Sequence, residues 1–202
     1  MKRVIVLLCV VSTFLLGVVG TAAAHPDNSQ VFGNAFVDGS DSPTDDFGEH
    51  FGELGNSLCN GCPDSFNTDL VIMWQAILAA DGFLPVSEID GQFGPITASA
   101  TTRWQTRWGI DVDGEVGNQT WSKADNGLYQ SSGVGGRPHY VMYNGDGSGA
   151  VTFRRGNENI ANDAGAYELY TLTAQDGRTW VFSGGPRIRF NAKTVSGPFG
   201  PL

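Results

Sequence analysis

No cysteine follows Cys62, only three histidines occur in 202 residues, and twelve basic side chains face twenty-one acidic ones. Each scarcity excludes something. Beyond Cys62 the chain offers no thiol nucleophile for peptidase or transpeptidase chemistry. One histidine in the C-terminal third, His139, is too few for a zinc peptidase or amidase, so no metal and no cofactor are expected. The acidic excess disfavours nucleic acid, anionic membrane surfaces and simple charge adhesion to an anionic polymer. Any polymer contact must then be made by hydrogen bonds and stacking.

The one long apolar run lies at the start, from Val4 to Val19, after Lys2 and Arg3 and before Ala22-Ala23-Ala24. This order of basic, apolar and small residues is that of a secretory signal over residues 1–24, with the exported chain starting at His25 and no membrane association thereafter. An uncleaved span is the alternative, since Val4 to Ala24 nearly suffices to cross a bilayer. Loss of Lys2 and Arg3 leaves ten basic against twenty-one acidic side chains, a net charge of −11. An oxidising compartment then favours a structural disulfide between Cys59 and Cys62 in "CNGCP". A redox pair and half of a zinc site are the competing readings.

Residues 25–66 form an acidic, Gly- and Ser-rich leader with few apolar groups, expected to be loosely ordered or docked through Phe32, Phe36, Phe47 and Phe51. Residues 67–126 read as helical. In "NTDLVIMWQAILAADGF", Asn67 or Thr68 is the N-cap, Leu70, Trp74, Ile77 and Leu78 fall at helical spacing, and Gly82 ends the run. In "ASATTRWQTRWG", Thr97 is the expected cap, with Ala100, Trp104 and Trp108 on one stripe and Gly109 as the stop. A third, shorter helix starts near Asn118 to Thr120 and turns Trp121 inward. Residues 127–202 change to period two: "HYVMY", "AVTFRR", "AYELYTL", "RTWVFSG" and "RIRFNAK" are short strands, with Gln175-Asp176-Gly177 the clearest hairpin. The expected fold is α+β in two modules, a three-helix bundle followed by a small antiparallel all-β unit.

An eight-residue phrase occurs twice, "DGQFGPIT" from Asp90 and "DGEVGNQT" from Asp113, each preceded by a Trp-Gln or Trp-containing helix. The aspartates can accept backbone N–H groups across a tight turn, the next glycine supplies positive φ, and Phe93 or Val116 enters the core. Thr97 and Thr120 stand where a helix cap belongs. Gln75 and Gln105 are expected to bond loop carbonyls.

With these elements in this order, the stretch from about residue 69 to residue 126 resembles the peptidoglycan-binding domain type 1 family. Trp74 and Trp104 stand where that family usually has Leu and Phe, and "LPVSEI" lengthens the connector, as in secreted actinobacterial versions. The resemblance implies a three-helix module that holds peptidoglycan or a related cell-wall polymer. The glycines and Phe93 and Val116 read first as structural, and Trp74, Trp104 and Trp121 first as core. The candidate ligand contacts are Asp90, Gln92, Arg103, Trp104, Arg107 and Glu115, with either arginine able to clasp a carboxylate.

The modules of this family often accompany wall hydrolases, yet here only scattered carboxylates, Asp146, Glu158, Asp163, Glu168 and Asp176, could serve a glycosidase. "NGDGSGAV" resembles an oxygen-ligand calcium loop through Asn144, Asp146 and Ser148, but Arg155 falls where its bidentate Glu belongs, which favours a hairpin turn. Arg187, Arg189 and Lys193 make one basic strand face, either solvated or a patch for an anion such as the leader. The reading is a secreted, monomeric, non-catalytic wall binder. A hydrolase with an unrecognised β catalytic domain and a protein-interaction or inhibitor module are the rivals.

Overall fold

The computed structural model describes Val37 and residues 46–49, 57–63, 65–132, 139–156, 165–184 and 187–201. The signal segment and most of the leader lie outside these. Among the described residues no helix is long and apolar enough to cross a membrane.

Among the described residues four helices and six strands follow one another: α1 (Asp46–Glu49), α2 (Asp69–Ala80), a 3-10 turn (Val86–Glu88), α3 (Pro95–Trp108), α4 (Asn118–Asp125), then β1 (Leu128–Ser132), β2 (His139–Asn144), β3 (Ala150–Arg155), β4 (Tyr167–Thr173), β5 (Thr179–Gly184) and β6 (Val195–Phe199). The strands form one antiparallel meander in chain order. The α+β layout is the expected one.

All twelve residues of α2 are buried. Its sequence, DLVIMWQAILAA, is apolar on every side, and a helix without a polar face needs cover all round. The helix therefore packs on β3 and β4 as well as on α3. One hydrophobic core runs from Leu70 and Trp74 through Trp104 and Trp121 to Val141, Phe153 and Leu172. At its centre Trp74 meets Trp104 and Trp121 edge to face, at centroid distances of 5.1 and 5.5 Å.

Both ends of α2 are tied to the sheet region by carboxylates. Asp69 accepts from the backbone N–H groups of Arg189, Thr194 and Val195 and from the Thr194 hydroxyl. At the other end Asp81 accepts from the Trp104 indole and the Tyr143 hydroxyl at 2.6 Å each, and from the Asp146 N–H. Burial raises the Asp81 pKa against these three donors, which act to lower it. Burial likewise pushes the Tyr143 phenol well above its ordinary value, so it stays protonated as a donor.

Several expectations are corrected. "RIRFNAK" is not a strand, although Ile188 and Phe190 are buried as the alternation implied. Its backbone serves the start of α2 instead: Arg189 and Ala192 carbonyls accept from Leu70 and Asp69 N–H. The last strand is Val195–Phe199, and a first strand, Leu128–Ser132, precedes "HYVMY". Of the two alternatives for the leader, docking holds at two described places: Val37 bridges Ile188 and Tyr167 through backbone bonds, and Phe47 is buried between Trp121, Phe153 and Tyr167. Asp46 is fully buried, pairs with Arg155 at 3.0 Å and accepts from the Tyr167 hydroxyl. A buried pair of this kind costs heavily when only one partner is removed. Phe32, Phe36 and Phe51 of the leader lie outside the described residues.

Candidate functional site

The twin phrases build twin loops, each wired to a buried glutamine from the helix ahead of it. Gln75 Oε1 accepts from Asp90 and Gly91 N–H at 3.0 and 2.8 Å, while its Nε2 faces Asp90 Oδ1, the Gln92 carbonyl and Thr97 Oγ1. Gln105 repeats the scheme one helix later. Its Oε1 accepts from Gly114 N–H at 2.9 Å, and its Nε2 faces Asp113 Oδ1, the Glu115 carbonyl and Thr120 Oγ1. The loop aspartates close their turns by accepting from Gln92 N–H and Glu115 N–H at 2.7 and 2.9 Å. Gly91 and Gly114 hold φ of +80° and +77°, where a side chain would be strained.

This wiring corrects the cap assignment. The N-caps of α3 and α4 are Gly94 and Gly117, and Thr97 and Thr120 sit one turn in, where each hydroxyl donates back to the loop carbonyl that the glutamine also reaches. Pro95 at the first helical position of α3 needs no acceptor for an N–H, so an unassisted glycine cap suffices. Replacing Gln75 with alanine strands two loop N–H groups, against one for Gln105. Urea melts are expected to show a loss of about 2 kcal/mol for Gln75→Ala and a smaller one for Gln105→Ala.

A third strip of chain staples the loops together. Leu58 exchanges backbone bonds with Val116 of the second loop, Phe93 N–H donates to the Ser65 carbonyl, and Phe66 pairs with Gln92 of the first. Between these anchors the Cys59–Cys62 disulfide closes the strip, with Cα atoms 5.1 Å apart. The Ser65 hydroxyl, fully buried, accepts from Cys59 N–H. The pair is thus a structural link, as its composition suggested.

The candidate ligand residues divide by position. Gln92 and Glu115 are exposed beside the stapled loops, and Asp90 is exposed with its carboxylate committed to the turn. Beside Gln92 two apolar side chains are also open, Phe66 at 48% and Ile96 at 56%. Arg103 is exposed on α3, about 12 Å along the helix from Pro95. It donates to the Phe83 carbonyl and to Ser99 Oγ. Arg107 directs Nε and Nη2 at Asp146 Oδ2, each at 2.8 Å, and so ties α3 to the β2–β3 turn. Trp104 is 1% exposed with its indole on Asp81, so it is a core residue and offers no face to a ligand. The six do not form one site.

Asp146 therefore serves a tie between modules, and the 145–149 segment is the hairpin turn between β2 and β3. Among the described residues no cluster of His, Cys, Asp or Glu could hold a metal ion. Glu158 and Asp163 lie outside the described residues.

No solved structure matches the chain significantly. An uncharacterized protein from the bpoA1 3' region of Kitasatospora aureofaciens is 49% identical over 45 residues, 22% of this chain. The match spans 36% of that relative's length. The helical segment with its stapled twin loops, residues 67–123, matches the family model described as "Putative peptidoglycan binding domain".

Proposed function

We propose that this is a secreted, non-catalytic protein that holds peptidoglycan or a related cell-wall polymer through its helical module, without a cofactor and as a monomer. The observation that carries the reading is the family match over residues 67–123, on a segment whose two loops are rigidly wired and open to solvent. The contact surface is the shallow face beside the first loop, where Phe66, Gln92 and Ile96 are exposed. Apolar groups next to a free amide suit a polymer recognised by stacking and hydrogen bonds, and such contacts need no net charge attraction. Three of the five candidate carboxylates of the β region, those among the described residues, support a non-catalytic role, being held in ion pairs: Asp146 with Arg107, Glu168 with Arg154, and Asp176 with Arg178, whose donors lower the Asp176 pKa.

The test is co-sedimentation of the full chain with purified sacculi, with release of soluble wall fragments followed in parallel. The expected result is retention in the pellet without fragment release. Phe66→Ala and Gln92→Ala are expected to weaken retention by about tenfold together, or roughly 1.4 kcal/mol. Both positions are exposed, so melting temperatures should hold. Protein remaining in the supernatant refutes the reading, and steady fragment release favours the hydrolase instead.

A further inference from the structure

A groove of about 370 Å³ runs between the end of α4 and strands β1 and β2, away from the stapled loops. That volume is within the range of small-ligand sites, about 300–1,000 Å³. Its lining includes Trp108, Lys123, Asn126, Tyr129, Tyr143 and Asn144, drawn from both the helical module and the sheet.

The groove contains a cation, Lys123, that no described carboxylate neutralises. Elsewhere among the described residues the basic side chains have oxygen partners: Arg107, Arg154, Arg155 and Arg178 pair with carboxylates, and Arg103 and Lys193 donate to carbonyls. Arg187 and Arg189 are not free either. Lys123 has no oxygen acceptor among the described residues. Its ammonium lies 5.1 Å from the centre of the Trp108 ring, and Arg107 lies 5.5 Å from the same ring. The indole thus fixes a cation at the groove rim without neutralising it.

Around that cation the polar groups are neutral and partly unspent. Asn126 Nδ2 donates to the Ser122 carbonyl, which leaves its Oδ1 open, and the Asn144 side chain makes no hydrogen bond among the described residues. Tyr129 is 42% exposed and presents an aromatic face from β1. Tyr143 is 2% exposed and closes the floor, its hydroxyl turned inward to Asp81.

We infer that this groove is a second ligand subsite for a carboxylate-bearing saccharide. The Tyr129 ring takes the C–H face of a sugar, the Asn126 and Asn144 amides bond its hydroxyl or acetamido groups, and Lys123 takes one carboxylate. A polyanion does not fit, because among the described residues Lys123 alone lacks an oxygen partner, in a sequence of net charge −9. The ligand's identity as a wall fragment rests on the proposed function, while the location and the carboxylate preference rest on the groove itself.

The probe is a soluble disaccharide–peptide fragment cut from peptidoglycan, titrated into the full chain beside the same fragment with its carboxylates amidated. Wild type is expected to bind the acidic form about tenfold more tightly, Lys123→Gln to bind both forms equally, and Tyr129→Ala to weaken both by about tenfold. Both altered side chains reach the surface, and unchanged melting curves confirm folding. If wild type pellets with sacculi and binds the fragment, yet both variants bind as wild type does, the groove assignment falls and the wall-binding reading stands. If wild type neither pellets nor binds either fragment, the wall-binding reading falls and takes the ligand assignment with it.

Discussion

Asp69→Ala is expected to cost on the order of 4 kcal/mol. The carboxylate is fully buried and accepts from four donors, three of them backbone N–H groups in the 189–195 segment. Truncation leaves those donors without acceptors in a place that water does not reach, and each stranded group costs about 1–3 kcal/mol. The sum is less than additive, since part of the segment can relax. Asp69→Asn keeps one acceptor oxygen but turns an NH2 group toward donors, so it recovers only a fraction. The check is urea unfolding followed by tryptophan fluorescence, which reports the Trp74–Trp104–Trp121 cluster directly. A loss under 1 kcal/mol for Asp69→Ala means the carboxylate is not what fastens the segment to α2. Because the same segment leads into β6, its release is also expected to expose the last strand to early hydrogen exchange.

How much of this was legible beforehand depends on the range of the interaction that decides each feature. Local chemistry was readable: the Thr68 cap, the stop at Gly109, the hairpin at Asp176-Gly177 and the glutamine-to-loop bonds all arise from residues close in sequence or from a repeated phrase. The caps of α3 and α4 were misplaced by a turn because a threonine after Asp-Gly can cap a helix or face a glutamine side chain. Only the partner helix settles which. Strand-like alternation in "RIRFNAK" correctly gave the buried face at Ile188 and Phe190 but not the hydrogen-bond partner, since α2 and its Asp69 compete for that backbone over more than a hundred residues of separation. In α2 itself the signal is present: the eleven residues other than Asp69 include only one polar side chain, Gln75, which already calls for burial on every side. For the candidate site, Gln92 and Glu115 are open to solvent as expected. Arg107 and Trp104 were spent instead on Asp146 and Asp81, acceptors whose positions depend on how the helices dock on the sheet. Lys123 and Tyr129 escaped notice for the same reason, because their groove exists only once β1 lies beside α4.

Gly149→Ala is expected to be the most damaging of the conservative glycine substitutions, at about 3 kcal/mol or more. A Cβ at this position would stand 1.8 Å from the Ala80 carbonyl oxygen and 2.6 Å from its carbon, all of it backbone at the end of α2. No rotamer change relieves such an overlap, so the β2–β3 turn must lift off the helix. That turn also presents Asp146 N–H to Asp81, the Asp146 carboxylate to Arg107, and the Asp146 carbonyl to Gln175, whose amide also reaches Ala80. Lifting it therefore strips the buried Asp81 of a donor and breaks the tie to α3 at the same time. Gly177→Ala is the control. It lies in the β4–β5 hairpin with φ of +80° and nothing within 4 Å of a Cβ, so only backbone strain of about 1 kcal/mol is expected. Thermal unfolding of the two variants should separate by several degrees, and the Gly149 variant should also loosen the end of α2 in hydrogen exchange. Equal melting temperatures for the two would show that close packing of the turn on α2 contributes nothing beyond local backbone strain. If the turn does hold the end of α2 as described, a shift at position 149 reaches the helix that carries Gln75, and through it the first of the two loops.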